Sequence, residues 1–362
     1  MLTVVDLFAG VGGLSYGFSH DSAFSVVAAN ELLSSMAESY SINHPSTRVY
    51  CSDIKDFGID VLHRDLGVSC GDIDLVVGGP PCQAYSTAGM RRDGDPRGTL
   101  FMEYFRVLQE LRPRMFIFEN VKGLLSMQGG MLVRHIISLF MSVGYHVSMR
   151  VLNAADYGTP QLRERVFLVG SLSSLPFEFP EPTHCDPRLS YGGLRSWVTL
   201  REALGDLPRM VSGESRIVYD SEPFTAYQRL MRAGCDVLRE HETGRHNSRL
   251  IRIMEMLPDG GTPADLPEYL RPSSGFSNTY CRLWWDRPSV TLTRNFGAPS
   301  SARCIHPIDP RPLSIREGAR LQGFPDDYVF CGSRADKHLQ IGNAVPTFLS
   351  VALKDAVLGY LG

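Results

Sequence analysis

The stretch Gly78-Gly79-Pro80-Pro81-Cys82-Gln83-Ala84-Tyr85-Ser86 follows an apolar run and decides how the rest of the sequence is interpreted. That run, Ile73-Asp74-Leu75-Val76-Val77, has the length and apolar content of a buried strand. Proline has no backbone N–H and a fixed φ, so the chain must leave the sheet at Pro80. A thiol in a stiff turn at the carboxyl end of a strand is where an α/β protein places a nucleophile. A small buried cysteine is the commoner use of the residue, and Cys82 alone does not decide between the two.

The composition is that of a soluble globular protein. Of its 362 residues, 43% are hydrophobic and 21% are charged, and the length favours about two domains. The eight cysteines are scattered and form no C-x-x-C pair, which predicts free thiols and no metal site. No signal peptide and no apolar stretch of about 18 residues is present, so the sequence predicts a cytoplasmic protein without a membrane segment.

The charge pattern leaves two interpretations open. The net charge of −3 does not indicate nucleic-acid binding. Residues 186–340, however, contain twenty arginines and one lysine, Lys337. Arginine suits phosphate and guanine recognition, because its planar fork donates two parallel hydrogen bonds. The whole chain has only four lysines, so a general preference for arginine explains the pattern equally well.

The first strand and the turn after it predict a nucleotide-like ligand. The apolar run Thr3–Phe8 is followed by Ala9-Gly10-Val11-Gly12-Gly13-Leu14, a glycine-rich turn that lets a ligand approach the backbone. Position 15 is serine, so the dinucleotide fingerprint is not met. Glu31 follows a second predicted strand and can hold ribose hydroxyls or begin a helix. Asp53 follows a third strand and can accept from an adenine amino group or cap the next turn.

A second carboxylate ends the fifth predicted strand, Met115–Phe118. Glu119 would be costly to bury unless it is paired or used. Burial would raise its pKa and make it a proton donor near neutral pH, and an arginine partner is the alternative. Between Cys82 and a predicted helix from Leu100 to Leu111 lies a polar, glycine-rich loop that is long enough to close over a ligand.

The later segments predict a hairpin, a second domain and a returning helix. Strands at His146–Leu152 and Arg165–Gly170 are predicted to pair, and alternation places Gln161, Arg163 and Arg165 on one side of the segment between them. Ser314 and Glu317 form a predicted capping box. The apolar helix from Phe348 to Leu361 needs a core, so we expect the chain to return to its first domain.

Taken together and in order, these stretches resemble the DNA (cytosine-5)-methyltransferases of the bacterial restriction-modification type. The matching motifs are Asp6 to Gly13, Pro80-Pro81-Cys82-Gln83, Glu119-Asn120-Val121, Gln161 with Arg163 and Arg165, Arg311 to Pro325, and Gln340 to Pro346. Only about residues 171–287 are unmatched. The resemblance implies an α/β fold: a Rossmann-like S-adenosylmethionine-dependent methyltransferase sheet with helices on both faces, plus a smaller irregular target recognition domain. We expect the catalytic domain at 1–175 plus 338–362, and the recognition domain at 176–337.

The resemblance also implies the site residues. Cys82 would add to C6 of a flipped cytosine, Glu119 would protonate N3, Arg165 would hold O2, and Arg163 would contact the site or a phosphate. Cofactor contacts are implied for Asp6, Phe8, Ala9, Gly10, Gly12, Gly13, Leu14, Glu31, Asp53, Ile54, Pro80, Leu100, Asn343, Ala344 and Val345. DNA contacts are predicted for Gln83, Ser86, Arg91, Arg92, Arg97 and Arg294. The donor would be S-adenosylmethionine and the product S-adenosylhomocysteine, with no metal.

Three other functions stay open at this point. A transfer-RNA cytosine methyltransferase of the same superfamily would keep the core, but the Cys-Phe-Thr segment of that branch is absent. A non-catalytic nucleic-acid-binding module would not need Cys82, Glu119 and Arg165 intact. A cysteine hydrolase would need a histidine near Cys82. The partner implied is duplex DNA with a short specific site, bound by a monomer near the nucleoid, and a cognate restriction endonuclease is not visible from one sequence.

Overall fold

The computed structural model describes residues 1–81, 100–189, 193–273 and 278–362. Its backbone forms two compact units. Unit 1 contains Met1–Asn153, Glu164–Glu181 and Leu349–Gly362, and unit 2 contains Ala154–Arg163 and Pro182–Phe348. We expect residues 1–175 with 338–362 to form the catalytic domain and residues 176–337 to form the recognition domain. That division stays a prediction.

The described residues of unit 1 form seven strands that pair in one sheet. The strands are Leu2–Leu7 (β1), Phe24–Glu31 (β2), Arg48–Cys51 (β3), Leu75–Gly78 (β4), Met115–Val121 (β5), His146–Asn153 (β6) and Glu164–Ser171 (β7). Their order is β3-β2-β1-β4-β5-β7-β6. The first five strands pair in parallel, and β7 pairs antiparallel with β5 and β6. The predicted antiparallel pairing of the last two strands is therefore confirmed.

The strand order reverses at β1, which has β2 on one side and β4 on the other. Leu7, the last residue of β1, lies opposite Gly78, the last residue of β4. In open parallel sheets, ligands bind in the crevice outside the carboxyl ends of the strands at such a reversal. The turn after Leu7 and the residues after Gly78 therefore occupy the edge of the sheet where an α/β protein binds its ligand.

Helices cover both faces of this sheet. The helices in chain order are Tyr16–Ser19 (α1), Ser34–Asn43 (α2), Ile59–Leu66 (α3), Leu100–Leu111 (α4), Met131–Ser142 (α5), Leu200–Leu204 (α6), Ala226–Met231 (α7), Ser248–Met256 (α8), Ile315–Leu321 (α9), Arg334–Asn343 (α10) and Thr347–Leu361 (α11). Ala28 belongs to a core cluster with Leu62 of α3 and Tyr104 of α4, whereas Ala29 packs with Tyr40 of α2. Successive strand residues point to opposite faces, so α2 and the pair α3 and α4 lie on opposite sides.

The end of the chain belongs to unit 1 from Leu349 onward. The hydroxyl of Ser350 donates to the carbonyl of Leu14 and accepts from the backbone N–H of Gly17 at 2.8 Å. The ammonium of Lys354 contacts the carboxylate of Asp21 at 2.8 Å. Leu349, Leu353 and Val357 on one side of the apolar helix α11 are fully buried, which is the environment that its sequence requires.

Unit 2 consists of short helices joined by long loops, and it carries buried ion pairs around α9. The predicted capping box is confirmed: Ser314 Oγ accepts from the Glu317 N–H at 3.1 Å, and Glu317 accepts from the Ser314 N–H at 2.7 Å. Arg311 contacts Glu317 at 2.7 Å and Arg320 contacts Asp326 at 2.6 Å. All four of these charged side chains are buried, and burial on this scale is tolerable only when each charge has a partner.

Two helical stretches, Lys122–Ser142 and Arg334–Leu361, are apolar and long enough to cross a membrane by length and composition alone. Core helices of soluble proteins pass the same test. Neither stretch is regular throughout, because Met127, Gln128 and Gly129 have non-helical backbone angles and the chain between Asn343 and Thr347 is not helical. These stretches do not indicate a membrane protein.

Candidate active site

The turn after β1 has a backbone that favours glycine. Phe8, Gly10 and Gly12 have φ angles of 54°, 57° and 88°, in the left-handed region where side chains are strained. Among the described residues, a Cβ added to Gly10 would meet no atom within 4 Å, so the space beside this residue is open to that extent. A Cβ at Gly12 would instead lie 2.2 Å from His44 Nε2. The turn is therefore open beside Gly10 and tightly packed against His44 beside Gly12, as far as the described residues show.

Glu31, the last residue of β2, is tied to this turn. Its carboxylate accepts from the backbone N–H of Gly10 at 2.8 Å and of Leu33 at 2.9 Å. Burial raises the pKa of Glu31, and the backbone hydrogen bonds oppose that rise. The side chain lies at the edge of the sheet where its predicted ribose contact would be made, and that contact stays a prediction.

Asp6 is a buried carboxyl group just beneath the turn. Its exposed fraction is 1%, and among the described residues neither carboxylate oxygen has a hydrogen-bond partner of normal geometry. Burial raises the pKa of Asp6 to about 7; the Ser15 and Tyr40 hydroxyls oppose the rise, and the charge of Glu31 adds to it. A buried carboxyl group without well-formed hydrogen bonds lowers the stability of the fold, and such groups cluster at functional sites.

Four further residues predicted at the cofactor site, Leu14, Asp53, Ile54 and Leu100, lie on the same unit. Asp53 accepts from the backbone N–H of Lys55 at 3.0 Å, so it caps the following turn, which was one of the two interpretations of this residue. The Ile54 carbonyl accepts from Arg106 at 2.8 Å. Leu100 begins α4 and is half-buried, whereas Leu14 is buried.

Glu119 and Arg165 form an ion pair between β5 and β7. Arg165 Nε lies 2.9 Å from Glu119 Oε1, and each side chain is 11% exposed. Because Glu119 pairs with Phe167 and Val121 with Arg165 in the antiparallel register, the two side chains are diagonal neighbours on one face. Burial lowers the pKa of Arg165, and the carboxylate of Glu119 opposes that change. The alternative of an arginine partner for Glu119 is therefore what the structure contains.

The segment after β4 is fixed against this ion pair. A Cβ on Gly79 would lie 2.6 Å from Glu119 Oε2, so glycine lets the carboxylate approach the backbone. The side-chain amide of Asn120 donates to the Pro80 carbonyl at 2.9 Å, and its oxygen accepts from the Val121 N–H at 3.0 Å. The chain that leads toward position 82 is thus held beside Glu119 as far as it is described.

Several predicted residues lie outside the described residues. These are Cys82, Gln83, Ser86, Arg91, Arg92 and Arg97. Their predicted roles in nucleophilic attack and DNA contact stay predictions.

Arg163 and Arg165, which alternation predicts on one side of an extended segment, fall in different units, and that shared side stays a prediction. Arg163 belongs to unit 2 and is 1% exposed. Its guanidinium donates to the carbonyls of Leu292 and Gly342, each at 2.8 Å. Gln161, also in unit 2, donates to the Leu321 carbonyl at 2.8 Å. These contacts hold backbone segments of unit 2 together, and a catalytic role for Arg163 stays a prediction.

The motif near the carboxyl terminus also lies in unit 2 up to Phe348. A Cβ on Gly342 would lie 2.4 Å from the backbone nitrogen of Arg294, so glycine permits close packing of two backbone segments. Asn343 and Arg294 are exposed, whereas Ala344 and Val345 are buried. Exposure of Arg294 is compatible with its predicted DNA contact without testing it.

Sequence reasoning missed two residues that shape the site. Asn120 was quoted as part of a motif, but its bond to Pro80 was not foreseen. His44 carried no signal, because a lone histidine after a helix is ordinary.

The family of the chain follows from comparison with known proteins. The family model for C-5 cytosine-specific DNA methylases matches residues 2–358. The chain therefore belongs to the C-5 cytosine-specific DNA methylase family, as its motifs predicted.

Its relatives include bacterial enzymes of similar length. The chain is 34% identical to the Type II methyltransferase M.AgeI of Thalassovita gelatinovora, over 98% of this chain and 99% of that protein. It is 34% identical to the Type II methyltransferase M1.HphI of Haemophilus parahaemolyticus, over 99% and 87%.

Solved structures share the fold. A prophage-encoded protein of Escherichia coli, described as a DNA modification methyltransferase, superposes with a TM-score of 0.78 at 24% identity, covering 100% of this chain and 99% of that one. The Dnmt2 methyltransferase of S. pombe superposes with a TM-score of 0.60 at 16% identity, covering 100% and 99%. At these identities the likeness concerns the fold alone, and it confirms the predicted Rossmann-like α/β class.

S-adenosylmethionine is the methyl donor that membership of this family implies. The residues present fit such a ligand. The glycine turn after β1 has open space beside Gly10, it lies at the carboxyl edge of the sheet, and it is flanked by the acidic side chain of Glu31.

Proposed function

We propose that this chain is the modification enzyme of a restriction-modification system, which methylates C5 of cytosine within a short specific site of duplex DNA. Family membership and the bacterial Type II relatives support the reaction class. The observation that carries the assignment of the site is the Glu119–Arg165 pair, packed against Gly79 and next to the Pro80 carbonyl that Asn120 holds.

Cys82 is the proposed nucleophile. Cytosine C5 is a weak nucleophile, and addition of a thiolate to C6 breaks the ring's aromaticity and makes C5 enamine-like. A carbon–sulfur bond forms at C6 in this step. The thiolate is the reactive form of cysteine, so the site must favour it. S-adenosylmethionine, when bound, supplies the methyl group that C5 accepts, and S-adenosylhomocysteine is the product.

Glu119 and Arg165 are proposed to hold the target base. Glu119, which Arg165 holds as a carboxylate in the described structure, takes up a proton from solvent and donates it to N3, so that the ring can accept the electrons that the thiolate brings. Arg165 donates to O2 and, at 2.9 Å from Glu119, also fixes the orientation of that carboxyl group. After methylation a base removes the C5 proton, the carbon–sulfur bond breaks, the Cys82 thiolate leaves, and N3 returns its proton to Glu119. Arg163 is kept as a proposed contact to the site or to a phosphate.

DNA binding requires the target base to leave the helix, because C6 is inaccessible while the base is stacked. Gln83, Ser86, Arg91, Arg92 and Arg97 are the proposed contacts around the flipped base and its phosphates, with Arg294 contributing from unit 2. Residues 176–337 are the proposed target recognition domain, and 1–175 with 338–362 the catalytic domain. The proposed state is a cytoplasmic monomer that works without a metal, alongside an endonuclease specific for the same site.

The decisive experiment measures methyl transfer from labelled S-adenosylmethionine to duplex DNA and to transfer RNA in parallel, with 5-methylcytosine mapped at base resolution. Label confined to one short DNA sequence supports the proposal and supplies the specificity. Label only in transfer RNA keeps the chemistry and overturns the substrate. Label in neither nucleic acid, with cofactor still bound, indicates a binding module.

Two variants test the assigned roles. Cys82→Ser should abolish turnover while binding of DNA and S-adenosylmethionine stays measurable. Glu119→Gln, which matches the shape of the native side chain, should lower kcat by about 10²- to 10⁴-fold, the usual contribution of a positioned acid. Normal activity of the Cys82→Ser enzyme contradicts the mechanism.

A further inference from the structure

His44 follows α2 directly and contacts the glycine turn from behind. The residue is 2% exposed, and its Nε2 occupies the space that a side chain at position 12 would need, 2.2 Å from the ideal Cβ position of Gly12. The backbone of Val11 hydrogen-bonds the imidazole and Ser19 Oγ lies 2.8 Å from Nδ1. Nε2 therefore lies against Gly12 of the turn, and Nδ1 lies against Ser19, which follows the turn along the chain.

A second contact from α2 reinforces the first. Tyr40 packs against His44 with ring centroids 4.4 Å apart, and its hydroxyl lies 2.8 Å from Ser15 Oγ. Tyr40 and Ser15 are both fully buried. Tyr40, in the last turn of α2, and His44, the residue after α2, are four positions apart. Both therefore contact the turn and the residues that follow it from the same side.

We infer that His44 is a positioning residue for the cofactor: it holds Val11 and Gly12 in the left-handed turn that the methyl donor requires. This inference rests on the proposed function only in assuming that the donor binds at this turn. Gly10 and Gly12 adopt their positive φ angles without strain, but glycine is equally free to leave them, so the geometry of the turn depends on what packs against it. Without the imidazole, the space behind Gly12 would be empty and the turn would be free to relax away from its binding geometry.

The imidazole ring of His44 is neutral, fills the space behind Gly12 and hydrogen-bonds its neighbours. Burial lowers the pKa of His44 to about 3, with a further contribution from the neighbouring His20. His44 therefore keeps one donor and one acceptor nitrogen throughout the physiological range. A glutamine can place a polar group near the position of Nε2, whereas an alanine cannot.

The test compares binding of S-adenosylmethionine and S-adenosylhomocysteine by titration calorimetry in wild type, His44→Ala and His44→Gln. We expect His44→Ala to raise both dissociation constants by at least about 10-fold, and His44→Gln to restore a large part of the loss. At saturating cofactor, kcat should stay within about twofold, because the effect is on KM for the donor.

The matched control is Thr47→Val. Thr47 is buried in the segment that follows α2. Its hydroxyl, which the substitution removes, donates to the Val26 carbonyl at 2.9 Å, while its backbone N–H, which the substitution keeps, donates to the His44 carbonyl at 3.0 Å. Loss of the hydroxyl should lower the melting temperature and leave cofactor affinity unchanged. Wild-type affinity in His44→Ala overturns the inference, and so does a loss that Thr47→Val reproduces at equal destabilisation. Failure of the wild type to bind S-adenosylmethionine instead refutes the proposed function.

Discussion

Replacing Asp6 with asparagine should remove a large part of the pH dependence of folding in unit 1. Asp6 is fully buried, its carboxylate lacks a hydrogen-bond partner among the described residues, and burial raises its pKa from 3.8 to about 7. Asparagine has nearly the same shape and does not titrate. The comparison therefore isolates the carboxyl group.

The sign follows from the raised pKa. Above pH 3.8 the unfolded chain releases the Asp6 proton, while the folded protein keeps it up to about pH 7. Unfolding consequently becomes more favourable as pH rises through this window, and it changes no further above it. With 1.36 kcal/mol for each pKa unit, the whole effect is about 4 kcal/mol, and about 2 kcal/mol of it falls between about pH 5.5 and pH 8.

Hydrogen–deuterium exchange of the peptide that covers β1 is a suitable assay, because it reports on the sheet that contains Asp6 even if the two units unfold separately. Wild type and Asp6→Asn are compared at the same pH, so intrinsic exchange rates cancel. The protection of the variant relative to wild type should increase about 30-fold from about pH 5.5 to pH 8, the equivalent of about 2 kcal/mol. Parallel pH profiles of the two proteins would refute the reasoning about Asp6.

Further predictions concern the contacts around Glu119 and α9. Gly79→Ala should lower kcat by at least about 10-fold with cofactor affinity unchanged, because the added Cβ would meet Glu119 Oε2 at 2.6 Å; steady-state kinetics and calorimetry check this, and normal kcat contradicts it. Glu317→Gln should lower the free energy of unfolding by about 1–3 kcal/mol, since it removes one of the two carboxylates that pair with the buried Arg311 and leaves Asp309 at 3.0 Å; urea denaturation measures this, with the exposed pair variant Glu164→Gln as a control that should change stability by less than about 1 kcal/mol.

The strands and the position of the site could be predicted from the sequence because they depend on local pattern. Apolar runs that end in glycine or an acid mark the carboxyl ends of parallel strands, and these ends meet at one edge of the sheet. Glu31 and Glu119 were both placed at strand ends in this way. The helix at Leu100–Leu111 was predicted with the bounds that the structure gives, since Pro113 stops it.

Arg163 shows where local pattern stops being informative. Alternation along an extended segment predicts that Arg163 and Arg165 share a face, and this holds only if the segment is one continuous strand. The strand β7 begins at Glu164, and Arg163 instead bonds to carbonyls 129 and 179 positions away. Contacts at such separations depend on how distant segments pack, and one sequence gives no register for that packing.

Three buried acids near the carboxyl ends of β1, β2 and β5 show the same division between what sequence dictates and what structure decides. The sequence establishes that Asp6, Glu31 and Glu119 are costly to bury, and physical chemistry then requires that each be bonded, paired or protonated. Glu31 accepts from two backbone N–H groups, which suits a fixed acceptor beside the turn. Glu119 is paired with Arg165, which orients it toward a bound base in the proposed mechanism. Asp6 has neither kind of partner and retains its proton to near neutral pH. The three carboxyl groups differ in what surrounds them rather than in their own chemistry, so their roles follow from their environment. The pH experiment on Asp6 tests that reasoning at the carboxyl group that has the fewest stabilising contacts.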